Sequence, residues 1–269
     1  MKNTIGIYNE KAKLAYKIRD VISPCLNGLN LFLKKIKDDM PDSFPTLVDN
    51  LKVFYGKIEN YDVTFQSDYD ILNQFPIIVN GSKNHVLSLV NYDKYDLASI
   101  DDEIEIDAID LVHAFTQFEY FFTSILLKIM SREEAIEYTK KLTDEVSLSR
   151  NNPKNYVDSF TESMDRFKNN LGRWQMQESV AGPLDKERLL YKVKKCAWAE
   201  LLKDFESELC YAMLCYSDFQ GAKNLNPNFI LTRTKTIMMG DEYCDFCYHD
   251  TRKVKEITHP SEKEFQELG

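Results

Sequence analysis

The sequence predicts an α+β protein in which helical layers pack on a small, mainly antiparallel sheet. Three observations carry this. Ile109, Val112, Phe115, Phe118, Phe122, Ile125 and Ile129 form one apolar stripe at i, i+3, i+4 spacing, the signature of an amphipathic helix. Phe229 to Met238 alternates instead with period two, and Tyr243 to Tyr248 returns after Gly240-Asp241, which predicts an antiparallel pair. The chain is 43% hydrophobic and 29% charged, a balance that builds a folded core.

The remaining elements follow in order. Ala12, Ala15, Tyr16, Ile18 and Val21 recur at helical spacing. Ser23-Pro24 is expected to break that helix and to cap a second one over Leu26 to Ile36. Thr46 to Tyr55 is a third helix. Phe75 to Val79 and His85 to Val90 read as strands, with Asn80-Gly81 as the hairpin turn between them. The acidic run Asp101 to Asp107 reads as a solvated loop ahead of a helix start. Ser131-Arg-Glu-Glu134 is a capping box that opens the next helix. A further helix is expected over Lys154 to Leu171, closed by Gly172. Gly182-Pro183 marks a turn, Leu189 to Val193 a short strand, and Ala197 to Cys215 a helix in one or two pieces. The division expected is an N-terminal extension over 1–104, with helices and then a β-hairpin. A helical segment plus a cysteine-rich α/β region over 105–252 and a polar tail over 253–269 complete it.

Charge and cysteine content narrow the classes. The formal net charge is −9, so neither nucleic acid nor an anionic membrane is expected as a partner, since both reward basic patches. The N-terminal residues Met1-Lys-Asn-Thr-Ile-Gly have no apolar signal region, and Phe115 to Met130 is interrupted by polar residues, so no membrane span is expected. The expectation is a cytoplasmic protein with mostly reduced thiols. Self-association into a homo-oligomer stays open.

The candidate chemistry lies in Cys196 to His249, which holds five of the six cysteines. A thiolate is both a nucleophile and a metal ligand. Cys215 and Asp218 share a face if the helix persists between them, and the carboxylate would raise rather than lower the thiol pKa. Asp218 could position water or bind a substrate N–H. The bland alternative is a packed cysteine followed by a loop aspartate. Cys244-Asp-Phe-Cys247 has the CxxC spacing but falls in a strand, where residues three apart face opposite ways; zinc-finger and thioredoxin readings are rejected. Arg233, expected mid-strand, is either a paired surface cation or a bidentate clamp for a substrate carboxylate. His113 reads as a core histidine.

Cys196-Ala-Trp-Ala-Glu, then Cys215-Tyr-Ser-Asp218, then Arg233-Thr-Lys-Thr-Ile-Met-Met-Gly240-Asp-Glu-Tyr-Cys244-Asp-Phe together resemble the L-2-amino-thiazoline-4-carboxylic acid hydrolase family. The resemblance extends over about residues 108–250. Two departures stand out: Cys196 is followed by Ala-Trp rather than by Pro and an aromatic residue, and Cys247 stands where Arg commonly follows Cys-Asp-Phe. The resemblance implies hydrolytic opening of a small cyclic amidine or thiazoline that carries a carboxylate. It implies Cys215, Asp218 and Cys244 as catalytic residues, with Arg233, Cys196, Thr234 and Asp245 on the substrate. Attack would come from a cysteine thiolate or from water activated by Asp218. No cofactor is expected; zinc on Cys196, Cys215 and Cys244 is the alternative. A non-catalytic small-molecule-binding or sensor module of the same fold is the rival reading.

Overall fold

The computed structural model describes residues 3–66, 68–95 and 99–269. In chain order the strands are β1 (Asn3–Tyr8), β2 (Lys13–Lys17), β3 (Glu103–Asp107), β4 (Met176–Pro183), β5 (Arg188–Cys196), β6 (Phe229–Thr232) and β7 (Cys244–Asp250). The helices are α1 (Ile18–Asp39), α2 (Phe44–Tyr55), α3 (Pro76–Leu89), α4 (Ala108–Ser124), α5 (Arg132–Ser149), α6 (Phe160–Trp174), α7 (Ala197–Leu201), α8 (Ser207–Cys210), α9 (Ser217–Leu225) and α10 (Glu262–Leu268). The fold is α+β, with the main sheet antiparallel throughout. The chain forms two compact units, Lys13–Ala135 and Met1–Ala12 with Ile136–Gly269.

In the first unit, β2 and β3 pair antiparallel from Lys13↔Asp107 to Lys17↔Glu103, and each strand runs directly into a helix, α1 and α4. Ile18, Ile22, Leu26, Leu29, Leu33 and Ile36 follow one stripe of α1 and are wholly buried. Three expectations are overturned. Residues 13–17 are strand because Leu14 and Ile106, and Tyr16 and Ile104, meet as cross-strand pairs, and the same pairing makes 103–107 a strand rather than a solvated loop. Pro24 sits inside α1 without ending it. The burial of Val21, Ile22, Cys25 and Leu26 on either side of it offsets the hydrogen bond it forfeits.

The hairpin expected at 75–90 is a helix. Pro76 stands in the first turn of α3, a favoured position, and Gly81 faces the end of α2. A Cβ on Gly81 would lie 2.3 Å from the Tyr55 carbonyl oxygen. The glycine therefore permits a close helix crossing rather than a turn. Around that crossing, His113 donates from Nδ1 to the Leu89 carbonyl at 3.0 Å, the satisfied histidine that its sequence position suggests.

The second unit is built on a five-stranded sheet in the order β1-β4-β5-β7-β6. One face carries Leu189, Tyr191, Val193, Leu231, Cys244, Phe246 and Tyr248. It is covered by Phe160, Met164, Phe167 and Leu171 of α6, at helical spacing, and by Phe219, Ala222 and Leu225 of α9. The other face carries Val180, Leu190 and Cys247 under Phe265 and Leu268 of α10. Helix α6 starts six residues after the expected Lys154, capped by the Ser159 hydroxyl, and passes through Gly172 to end at Gln175 in the left-handed region. Gly182-Pro183 closes β4 rather than forming a turn. Strand β6 stops at Thr232, short of the expected Met238, because side chains capture the next backbone donors. Asp245 accepts from the N–H groups of Thr234 and Lys235, and Asp241 from that of Thr236. Those amides are lost to the ladder, so Arg233 lies just past the strand. Gly240 turns the chain at φ 95°.

Candidate active site

The site grows from four segments of the second unit: the β5–α7 junction, the α8–α9 junction, the loop after β6, and the first residue of β7. Cys196 is the last residue of β5, at the start of α7, where the backbone N–H groups of Trp198 and Ala199 reach its sulfur. Between α8 and α9 the chain makes a π-helical turn over Tyr211–Cys215, with the Tyr216 N–H bonded to the Tyr211 carbonyl at 2.9 Å. Such wide turns recur at functional sites because they displace side chains from the regular helical face. The Ala212 carbonyl is satisfied by the Thr143 hydroxyl at 2.9 Å. The turn delivers Cys215, and Asp218 follows in the first turn of α9.

Arg233 ties these segments together. Its Nη1 donates to Asp218 Oδ2 at 2.7 Å and its Nη2 to the Cys215 carbonyl at 3.0 Å. Its guanidinium lies 5.0 Å from the ring centre of Phe246 and 5.1 Å from those of Tyr211 and Phe219. Three rings around one cation strengthen its hold through their quadrupoles. The Arg233 side chain is 2% exposed, whereas that of Asp218 is 38% exposed. The pair thus has a buried positive end and an accessible negative end.

Electrostatics show which groups share this space. The Asp218 carboxylate raises the proton affinity of Cys196, Cys215 and Cys244 alike, so all three thiols lie within its electrostatic reach. Burial pushes the Cys196 thiol up to about 12, opposed by the two α7 amides. Burial, and then the Asp218 carboxylate, hold the Cys215 thiol well above its ordinary value despite Arg233. Cys244 is likewise raised by burial, although its sulfur accepts the Ile237 N–H at 3.3 Å. Asp218 is itself raised by burial, with Arg233 pulling the other way. Burial works against the charge on Arg233, yet Asp218 keeps it protonated. The resting site is therefore three thiols, one carboxylate whose proton affinity exceeds that of an ordinary aspartate, and one fixed cation. Among the described residues, no group of three or more His, Cys, Asp or Glu side chains is arranged to hold a metal ion.

The residues proposed from the sequence divide in two. Cys196, Cys215, Asp218, Arg233 and Cys244 come together. Asp245 does not join them: it points to the opposite face of the sheet, is 3% exposed and accepts from both the N–H and the hydroxyl of Thr234. Thr234 and Asp245 thus bond to one another. Cys244 and Cys247 fall on opposite faces, as the strand reading requires. Tyr211, Phe219 and Phe246 were not foreseen. Phe246 was within reach of the alternation argument, since it stands two residues after Cys244 on the same strand face.

Residues 115–248 match the family model of L-2-amino-thiazoline-4-carboxylic acid hydrolase. Over that segment, just under half of the chain, the protein is similar to that family. It contains every residue of the Asp218–Arg233 site and ends at Tyr248, inside β7. The matched segment supplies most of the sheet face covered by α6 and α9, while Ile5 of β1 and all of α10 lie outside it. No curated protein and no solved structure matches the chain. Among the described residues, no helix is long and apolar enough to cross a membrane.

Proposed function

We propose that the chain opens a small cyclic amidine or thiazoline carboxylate by hydrolysis, with Asp218 as general base. The Asp218–Arg233 pair carries this reading: its part-buried but accessible end is a carboxylate of raised proton affinity, the property a base needs to work near neutral pH. A 2-aminothiazoline-4-carboxylate is a cationic amidine joined to a carboxylate when its ring is protonated. Its cationic ring is drawn to the accessible Asp218 carboxylate, which Arg233, buried and bonded also to the Cys215 carbonyl, holds in place. Asp218 takes a proton from water, and the oxygen bonds to the ring carbon between nitrogen and sulfur. The carbon–sulfur bond then breaks, the sulfur takes up the proton, and an N-carbamoyl thiol leaves. The thiols of Cys196, Cys215 and Cys244 stay protonated beside the carboxylate.

A covalent route is the second reading, and the partial exposure of Cys215 beside Asp218 favours it. Asp218 would then take the thiol proton, the thiolate would add to the ring carbon, and the ring carbon–sulfur bond would break as that proton passes to the leaving sulfur. Water would next displace the Cys215 sulfur from the same carbon, the amino nitrogen staying bound, to free the N-carbamoyl thiol and the enzyme thiol. The deciding experiment is turnover of L-2-amino-thiazoline-4-carboxylate, followed by thiol release, in wild type, Asp218→Asn, Cys215→Ser and Cys244→Ser. Loss confined to Asp218→Asn supports base catalysis. Equal loss in Cys215→Ser supports the covalent route. A folded wild type that binds the ring without opening it would make the protein a binding module.

The pH profile gives a further check. A base acts only when ionised, so kcat/KM should rise with pH through the Asp218 pKa. Because burial raises that pKa, the acid limb should lie above the ordinary carboxylate range. A limb at or below that range would count against Asp218.

A further inference from the structure

The sheet face opposite the site carries a continuous hydrogen-bonded chain that the hydrolytic reading does not use. His259 donates from Nε2 to Asp245 Oδ2 at 2.9 Å. Its Nδ1 meets the Thr232 hydroxyl at 2.9 Å, and that hydroxyl meets His249 Nε2 at 2.9 Å. The chain has a direction. A carboxylate can only accept, so His259 donates from Nε2, and in the neutral ring Nδ1 then accepts from Thr232. Thr232 then accepts from His249 Nε2–H, which leaves His249 Nδ1 as a bare acceptor. That atom is buried and has no hydrogen-bond partner among the described residues.

Asp245 links this chain to the site. Its other bonds reach the loop that follows Arg233: Thr234 N at 2.8 Å, Lys235 N at 2.6 Å and the Thr234 hydroxyl at 2.5 Å. The same loop wraps Cys244, whose sulfur accepts from Ile237 N at 3.3 Å and donates to the Thr236 hydroxyl at 3.5 Å. One carboxylate thus fixes the segment that begins at Arg233 and covers Cys244. His259, its fourth donor, comes from the C-terminal segment.

Four further contacts fasten or brace that segment. The His259 ring stacks on Phe265, 5.5 Å between centres and 15° from parallel. Phe265 is 1% exposed, and its carbonyl accepts from Lys192 Nζ at 3.2 Å. Glu262 pairs with Lys235 at 2.9 Å, on the clamped loop itself. Ser261 and Glu264 close the start of α10 as a capping box. A polar tail without a structural task would need none of these.

We propose that His259 is a positioning residue, and that the C-terminal segment is a strap that holds the Arg233 loop over Cys244 by way of Asp245. The role it gives Arg233 and Cys244 rests on the hydrolytic reading above. The geometry of the strap does not.

The test is the alkylation rate of each cysteine in the folded full-length protein, read peptide by peptide by mass spectrometry with N-ethylmaleimide. In His259→Ala the rate at Cys244 should rise at least about tenfold, the opening that loss of one hydrogen bond to a charged group permits. Cys25, buried in the other compact unit, should keep its wild-type rate. His259→Gln, whose amide can still donate to Asp245, should recover most of the protection. Should His259→Ala not fold, Glu262→Gln weakens the surface pair alone and should raise the Cys244 rate by a smaller factor. An unchanged rate at Cys244 would overturn the proposal. So would an equal rise at Cys25, or a Gln variant no better than Ala. Labelling needs no substrate, so its outcome does not depend on whether wild type opens the ring. In protein that does, His259→Ala should lower kcat/KM and His259→Gln restore it.

Discussion

Asp218→Asn should reduce kcat by about 10²- to 10⁴-fold, the contribution of a positioned base, equivalent to about 3–5 kcal/mol in the barrier. The substitution keeps the shape of the side chain and an oxygen able to accept from Arg233 Nη1. What it removes is the ability to take a proton. Because Arg233 is nearly inaccessible and also bonded to the Cys215 carbonyl, the amide should leave the guanidinium in place. Substrate affinity should therefore fall less than kcat. Thermal melting of the variant checks that the fold survives, and turnover by thiol release measures the effect. Activity within tenfold of wild type in a folded protein would remove Asp218 from the base role and shift attention to the thiols.

Gly81→Ala and Gly28→Ala should move stability in opposite directions, although both glycines lie inside helices. Replacing a helical glycine by alanine favours the helix by about 1 kcal/mol. At Gly28 the new Cβ meets nothing within 4 Å, so a gain of about 0.5–1 kcal/mol is expected. At Gly81 it meets Tyr55 at 2.3 Å from its carbonyl oxygen and 2.5 Å from its Cβ. Neither atom can rotate away, so α2 and α3 must separate and disturb Tyr55, a wholly buried aromatic residue. Overpacking of this kind costs about 1–3 kcal/mol and more where backbone must move, so a net loss of about 2 kcal/mol is expected. Urea unfolding midpoints of the two variants test this. A shift in the same direction for both would mean that the crossing yields more readily than its geometry indicates.

Gly81 also shows why parts of the fold were hidden in the sequence. Asn80-Gly81 between apolar runs has the chemistry of a tight turn. What decides against it is Tyr55, brought alongside only by tertiary packing. Strand β6 was overestimated for a related reason. Alternation runs on through Met238, but Asp241 and Asp245 take the amides a longer strand would need, and capture by residues further along the chain leaves no periodic trace. Long stripes fared better: α4 and the β6–β7 pairing follow from side-chain periodicity, although Ile109 and Phe115 of the α4 stripe are only half-buried. The candidate site was legible in its reactive members, since Cys196, Cys215, Asp218, Arg233 and Cys244 cluster in the sequence. Its supporting parts were not. No spacing rule foretells a π-helical turn, a guanidinium among three rings, or a histidine arriving from the tail.

Strand β7 separates two kinds of phenotype residue by residue. Cys244, Phe246 and Tyr248 face the helix-covered side, and Asp245, Cys247 and His249 the side under the strap. A scan along these six positions should therefore give a sawtooth rather than a gradient, with losses of ring-opening chemistry alternating with losses of loop anchorage. Inserting or deleting one residue before Cys244 would exchange the two sets, so the length of the 233–243 connection is as tightly constrained as any side chain within it.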